Sequence, residues 1–237
     1  MDIAKHEILF SKARLSRYIT ACKGDTNKAI RLYKYNIQIS QALYPVISVL
    51  EIALRNGIDR ELSTFFKDDN WLITQRDQFA NHPNMLYKDK KGINRPDYFF
   101  IEKLVKAENK LDYRSIPVTH GKLLAELTFG FWIKFFDSSP IKILKGVPLQ
   151  VLVNKPSIKL ALVHSHLNSI VTLRNRISHS EPICFNRSGE LCLVTMRNYE
   201  TDISDALGWI DNDLKTWAAQ INFFLPVYNR INALQAT

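Results

Sequence analysis

The residues best suited to acid–base and phosphate chemistry lie near the end of a strongly apolar segment, residues 157–180. Projected on a helix, the segment has one apolar stripe, formed by Val163, Leu167, Ile170, Leu173 and Ile177. Arg174 falls within that stripe. A second stripe is polar and consists of Asn168, Thr172, Asn175 and His179, with Arg176 at its border. A guanidinium on an apolar face is costly unless an anion meets it. The sequence leaves two such anions open, an acid such as Glu51 or a phosphate of RNA.

His179 is the natural proton carrier of this group. We predict it in the last turn of the helix, where the negative end of the helix dipole favours the imidazolium form. A histidine beside cationic arginines can take and give protons near neutral pH. Cleavage of RNA by its own 2′-hydroxyl needs such a group, together with an arginine that stabilises charge on the phosphoryl oxygens. This chemistry requires no metal, and Asn175 could orient the imidazole or a phosphate.

The segments that must position these residues show mostly helical periodicity. We therefore predict an all-α fold, and we expect a single domain over residues 1–237. The predicted helices are 4–22 (within an N-terminal segment, 1–25), 27–44, 46–66, 97–112, 122–136, 157–180 and 200–220. Pro45 should either kink the chain or restart the helix, and Glu181-Pro182 should end the motif helix. Residues 67–96 are expected to be an exposed loop insertion. Two short strands, 183–185 and 191–195, are predicted to form a β-hairpin after the motif helix.

The charge balance points to a polyanionic partner. The chain of 237 residues carries 32 Lys and Arg against 23 Asp and Glu, a net charge of +9, and such cations neutralise phosphates. Many basic proteins bind no nucleic acid, so this observation gains weight only beside the motif. A basic run in the predicted loop is the candidate contact to the RNA backbone, and it consists of Lys88, Lys90, Lys91 and Arg95.

Other kinds of site and location are disfavoured. Three cysteines do not make a disulfide framework, and no Gly-rich phosphate loop is present. His164 and His166 are two residues apart, whereas a helical metal pair prefers a spacing of four. We therefore expect no metal and no cofactor. The first ten residues are too charged for a signal-peptide core, and no uncharged apolar run reaches about 20 residues. We expect a cytoplasmic protein without a membrane span.

Three segments of the chain resemble the Abi-like (abortive infection) family. They are Tyr44-Pro45 with Leu50–Asn56, then Ala125–Trp132, and finally Leu173–Pro182. Their order and spacing agree with that family, and the likeness covers about residues 29–217. Within the third segment, Arg174 to His179 resembles the signature of HEPN ribonucleases, in which an arginine and a polar residue are followed a few positions later by a histidine.

The resemblance implies a HEPN-like helical bundle and an RNA-cleaving toxin or anti-phage effector that needs no metal. It makes Arg174 and His179 the catalytic pair, and the supporting residues of the cleft are then Asn175, Arg176, Glu51, Arg55 and Asn56. Such proteins commonly form homodimers with a composite site, and an antitoxin or regulatory protein could restrain them. Two other hypotheses stay open. One is a non-catalytic RNA-binding HEPN protein that acts as an antitoxin or sensor; the other is a structural interaction module in which Glu51 holds Arg174.

Overall fold

The chain is built almost entirely of α-helices in the computed structural model, which describes residues 2–157 and 159–236. The predicted all-α class with a short β-hairpin is confirmed. In the described ranges the helices are α1 Ile3–Phe10, α2 Lys12–Ala21, α3 Thr26–Phe66, α4 Trp71–Thr74, α5 Arg76–Phe79, α6 Phe99–Tyr113, α7 His120–Glu126, α8 Phe129–Ile133, α9 Ser138–Ile143, α10 Leu160–Ser178, α11 Leu193–Ile210, α12 Asn212–Ala219 and α13 Phe224–Ala236. Strands β1 Leu86–Lys88 and β2 Asn94–Pro96 pair antiparallel. Two short 3-10 segments are Lys134–Phe136 and Val147–Val151.

The described residues divide into two compact units. Unit 1 comprises residues 2–49, 169–207 and 213–236, and unit 2 comprises 50–157, 159–168 and 208–212. The long helices α3 and α10 each contribute residues to both units. The expectation of a single domain over residues 1–237 stays a prediction.

Unit 1 has a core in which the first helices pack against the segment that follows α10. Tyr18 meets the rings of Tyr33 and Phe185 edge to face, with both pairs of centroids 5.2 Å apart, a geometry in which the positive ring edge faces the negative ring face. Burial raises the pKa of the Tyr18 hydroxyl far above its ordinary value. The single predicted helix 4–22 is instead two helices, because Ser11 has a φ of 71° and its hydroxyl accepts a hydrogen bond from the amide of Arg14.

Unit 2 is built around a cluster of aromatic rings. Its fully buried members are Trp71, Phe79, Phe100, Phe131, Trp132, Phe135 and Phe136. The rings of Phe100 and Phe135 are the most closely packed, with centroids 4.6 Å apart. This core corrects the predicted exposed loop 67–96, because Trp71 and Phe79 lie in the short helices α4 and α5 and are completely buried.

The predicted helix 122–136 is also corrected. It breaks at Leu127-Thr128, where the backbone becomes extended, into α7, α8 and a 3-10 segment. The apolar residues at 129, 131–133, 135 and 136 are all buried. So many consecutive apolar side chains cannot all face the core from one straight helix, and the break lets each of them reach it.

Helix α3 continues through Pro45, so the predicted restart of the helix is wrong. Proline has no N–H to donate to the carbonyl of Gln41, but both residues are exposed, so water can satisfy that carbonyl. One turn later the hydroxyl of Ser48 donates to the carbonyl of Tyr44 at 3.0 Å. The surface position of the ring is what makes an internal proline tolerable here.

By length and composition alone, α3 is the one helix among the described residues that could cross a membrane. A core helix of a water-soluble protein passes the same test. A single such helix does not by itself indicate a membrane span, and 39% of its apolar stretch is buried within the protein.

After α10 the chain forms a minimal β-hairpin that is shorter than predicted. Phe185 and Leu191 make one antiparallel bridge, and the amide of Cys192 donates to the carbonyl of Cys184 at 3.0 Å. Helix α11 already begins at Leu193, so residues 193–195 are helical and the predicted second strand is wrong beyond position 192. The final helix α13 was not predicted.

Candidate functional site at the end of α10

The motif helix ends in a defined cap that places His179 at the surface. Ser180 adopts a left-handed φ of 54°. The Ser180 amide donates to the carbonyl of Ile177 at 3.0 Å, and the Glu181 amide donates to that of Arg176 at 2.8 Å. These two bonds form a Schellman motif, in which His179 is the C-cap residue. The prediction that the helix ends just before Pro182 is therefore confirmed, and the His179 side chain is exposed at this end.

Arg174 lies about one and a half turns before His179 on the same helix. Ile170 and Leu173 are fully buried and anchor this part of α10 in unit 1. Arg174 is half-buried, with its Nε atom shielded from solvent, and Asn175 is exposed. The buried apolar residues therefore hold the helix in place. Of the motif residues, Arg174 is half-buried, whereas Asn175 and His179 are exposed.

Arg176 holds the segment that follows the motif. Its Nη1 donates to the hydroxyl of Tyr199 at 3.0 Å, its Nη2 donates to the carbonyl of Pro182, and its Nε lies 3.5 Å from a carboxylate oxygen of Glu181. These contacts give Arg176 a positioning role, because they fix the turn that carries His179. The resemblance implied a supporting role for Arg176 in the cleft, and that role stays a prediction.

Asn36 is a positioning residue that sequence reasoning missed. It is buried in α3, and its side-chain oxygen accepts hydrogen bonds from the amides of Ile183 and Cys184 at 2.8 and 3.2 Å. These bonds hold the chain just beyond the motif helix. A sequence signal for Asn36 did exist, because it shares one helix face with the apolar residues Leu32, Ile39 and Leu43. A polar side chain on a buried helix face must be hydrogen-bonded, so Asn36 could be expected to hold another segment.

An open groove of about 980 Å³ lies beside the end of α10 within unit 1. Ser178 and Ser180, on either side of His179, form part of its wall, and exposed Tyr44 contributes an aromatic ring. Arg14 also lines the groove and donates from Nη1 to the carbonyl of Ser180 at 2.8 Å. The groove therefore offers apolar surface and a guanidinium at the end of α10, and neither His179 nor Arg174 is among the residues that line it.

The three supporting residues predicted on α3 belong to unit 2. Glu51 and Arg55 are half-buried and Asn56 is exposed. The Nε of Arg55 donates to the side-chain oxygen of its neighbour Asn56 at 3.1 Å. The four motif residues on α10 all belong to unit 1, so the structure groups Arg174, Asn175, Arg176 and His179 but places the α3 trio in the other unit.

The predicted RNA-contact run lies on the β1–β2 hairpin of unit 2. Asp89 organises its turn by accepting hydrogen bonds from the amides of Lys91 and Ile93 at 2.9 and 3.0 Å and from Arg95 at 3.2 Å. The bond from the Ile93 amide is the main reason that the pKa of Asp89 lies below its usual value. Arg95 therefore closes the hairpin, and its side chain is exposed, as are those of Lys88, Lys90 and Lys91.

Within the described ranges, no group of three or more His, Cys, Asp or Glu side chains is arranged to hold a metal ion. The two histidines that the sequence pointed to serve other contacts. The Nε2 of His164 donates to the carboxylate of Asp137 at 2.8 Å, and the ring of His166 packs against Trp209 with centroids 5.3 Å apart.

The family model for Abi-like proteins matches residues 5–184. The match covers more than half of the chain and includes α1 through the motif helix, so the chain belongs to the Abi-like protein family. This membership is consistent with a role in abortive infection and defence. No curated protein and no solved structure has significant similarity to the chain.

Proposed function

We propose that this protein is an endoribonuclease of abortive infection, or a toxin, that cleaves RNA by 2′-hydroxyl transesterification without a metal and works in the cytoplasm. The observation that carries the proposal is the exposed His179 at the cap of α10, which follows the half-buried Arg174 and stands between Ser178 and Ser180, two residues of the groove wall. His179 exchanges protons with the 2′-hydroxyl and the leaving 5′-oxygen, and Arg174 stabilises charge on the phosphoryl group. Family membership supports the defence role, and membership of the HEPN superfamily is part of the proposal.

Cleavage assays with purified protein test the chemistry. The wild type should cut single-stranded RNA in the presence of EDTA and leave 2′,3′-cyclic phosphate ends. His179→Ala and Arg174→Ala should each lower the rate by at least about a hundredfold. Arg187→Ala is the matched control, because Arg187 is an exposed arginine in the hairpin after α10. Equal activity of the wild type and both motif variants would refute the proposal.

We also propose that two copies associate and that each contributes its Arg174 and His179 to one composite site. This step rests on the HEPN resemblance. Light scattering should give twice the monomer mass. A monomer that cleaves RNA at the full rate at all concentrations would contradict the composite site.

A second candidate function is RNA binding without turnover, as in an antitoxin or sensor. The exposed lysines on the hairpin of unit 2 favour this alternative, because they offer charge to an RNA backbone. Lysine-dependent RNA retention in a gel-shift assay, with intact RNA recovered and no effect of His179→Ala, would replace the nuclease proposal with this one.

A further inference from the structure

Unit 2 contains a cavity of about 910 Å³ that the motif on α10 does not explain. Its wall comes from the β1–β2 hairpin, the loop before it, α9 and the start of α10. The hydroxyl of Ser139 donates to the carbonyl of Leu86 at 2.7 Å and ties α9 to the hairpin. The volume is typical of small-molecule sites, and the tie keeps this wall in place without a ligand.

The two acids in the cavity wall, Asp97 and Asp137, are both held by hydrogen bonds. Lys134 donates to Asp97 at 2.8 Å and to Asp137 at 2.7 Å, and His164 donates to the other oxygen of Asp137. Burial opposes the charge on Lys134, but its hydrogen bonds to the two aspartates outweigh that effect and raise the pKa of the ammonium group. The single ammonium group offsets one of the two carboxylates, so lysines that bind an anionic ligand here must also offset the other.

The remaining charged and polar groups of the wall suit an anion. Lys88 and Lys142 line the cavity, and neither forms an ion pair with any residue in the described part of the chain. His82 accepts a hydrogen bond at Nδ1 from the amide of Asn84 at 3.0 Å. Its Nε2 must then carry the ring proton, so this nitrogen is a hydrogen-bond donor.

The rest of the wall suits a planar, partly apolar group. Ile143 and Leu160 form apolar surface. The ring of Tyr87 is 48% exposed and lies at the same cavity. Asn84 and Asn94 supply amides that can both donate and accept along the edge of a base. An apolar, aromatic and amide-bearing wall beside two lysines matches a base joined to a phosphate.

We propose that this cavity binds a nucleoside phosphate, with Lys88, Lys142 and His82 on the phosphate and Tyr87 with the asparagines on the base. The nucleotide comes either free from solution or as one residue of an RNA strand. The proposal does not depend on the proposed cleavage chemistry.

Calorimetric titration of the full chain tests the site, with His179→Ala as the background so that RNA stays intact. The ligands are AMP, GMP, CMP and UMP, inorganic phosphate, and oligoadenylate or oligouridylate. Lys88→Gln and Lys142→Gln should each weaken nucleotide binding by about tenfold, since each removes a charge-assisted hydrogen bond. Lys122→Gln is the matched control, because Lys122 is an exposed lysine of unit 2 that lies outside the cavity wall.

The two sources of the nucleotide give different outcomes. Binding of a mononucleotide that both lysine variants weaken supports a free ligand. Binding of the oligonucleotide alone, with the same lysine dependence, supports a residue of an RNA strand. The proposal is overturned if no ligand binds at millimolar concentration. It also fails if the double lysine variant, with an unchanged circular dichroism spectrum, binds as the wild type does, or if inorganic phosphate binds as tightly as the nucleotides. None of these results depends on RNA cleavage.

Discussion

The tripeptide Leu-Arg-Asn occurs twice, at 54–56 in unit 2 and at 173–175 in unit 1. The two copies lie on helices in the same local environment, since both leucines are fully buried, both arginines are half-buried and both asparagines are exposed. Burial and sequence therefore do not distinguish Arg55 from Arg174. The residues that follow each copy do.

After the first copy, α3 continues to Phe66, and Gly57 lets Val151 pack against the helix backbone. After the second copy, α10 ends at Ser178, and the cap exposes His179 between two residues that line a groove, Ser178 and Ser180. A helix interior satisfies its own backbone groups, whereas a helix end presents a dipole and a change of chain direction. The comparison teaches that the helix end, more than the tripeptide, makes a candidate site.

The largest expected effect is the difference in RNA-cleavage rate between the Arg174→Ala and Arg55→Ala variants. Arg174→Ala should reduce the cleavage rate by at least about a hundredfold, because it removes charge stabilisation at the phosphoryl group. Arg55→Ala should cause a much smaller loss, since its Nε already bonds to Asn56. Equal losses would show that both tripeptides serve the same site, as the resemblance implied for Arg55 and Asn56.

The alkylation rates of Cys184 and Cys192 report how tightly the segment after the second copy is packed. Burial raises the pKa of Cys184 to about 12 and also raises that of Cys22. A hydrogen bond from the Thr195 hydroxyl lowers the pKa of Cys192. Since the thiolate is the reactive form, Cys192 should be alkylated by iodoacetamide at pH 8 at least about a hundredfold faster than Cys184. Peptide mass spectrometry gives the rates, and rapid labelling of Cys184 would contradict the packed arrangement.

The free energy of unfolding should depend strongly on the buried Asn36 and only weakly on the exposed Asn56 of the first copy. Asn36→Ala leaves the buried amides of Ile183 and Cys184 without their acceptor and should lower the free energy of unfolding by about 2–4 kcal/mol. Asn56→Ala, at an exposed helical position, should change it by less than about 0.5 kcal/mol. Urea denaturation measures both. Similar values for the two variants would mean that Asn36 does not hold the segment.

A pair of glycine substitutions tests the packing after the first copy. A β-carbon at Gly57 would lie 2.6 Å from a methyl carbon of Val151, whereas one at Gly121 in α7 would meet no atom within 4 Å. Gly57→Ala should therefore destabilise the protein by about 1–3 kcal/mol. Gly121→Ala should stabilise it by about 0.5–1 kcal/mol through helix propensity. Thermal denaturation gives the signs, and two stabilising substitutions would show that Val151 can move aside.

The smallest expected effect is at the cap of the second copy. Ser180 has a φ of 54°, a conformation that glycine adopts at little cost. Ser180→Gly should raise the free energy of unfolding by up to about 1 kcal/mol, provided that the Schellman bonds are kept. Urea denaturation measures this change. A loss of stability would indicate that the Ser180 side chain has a role beyond capping.

Much of the fold could be predicted because helix periodicity is a local property. The motif helix, its end before Pro182 and the position of His179 near that end were all readable from residues 157–182. The β1–β2 hairpin and the burial of Trp71 and Phe79 were not, since the polar composition of 67–96 hides a few apolar residues whose partners lie far along the chain. The same reason explains why Asn36 was missed, because its hydrogen-bond partners are 147 and 148 positions away.

By itself, the sequence determined the all-α class, the family and the set of residues able to carry acid–base chemistry, because residue type and helical spacing are written along the chain. Tertiary structure alone decided which of two identical tripeptides ends a helix beside a groove and which lies within a longer helix, packed by Val151. It also placed Lys88 and Lys142 at one cavity. These outcomes depend on contacts between distant segments, and no local pattern encodes such contacts.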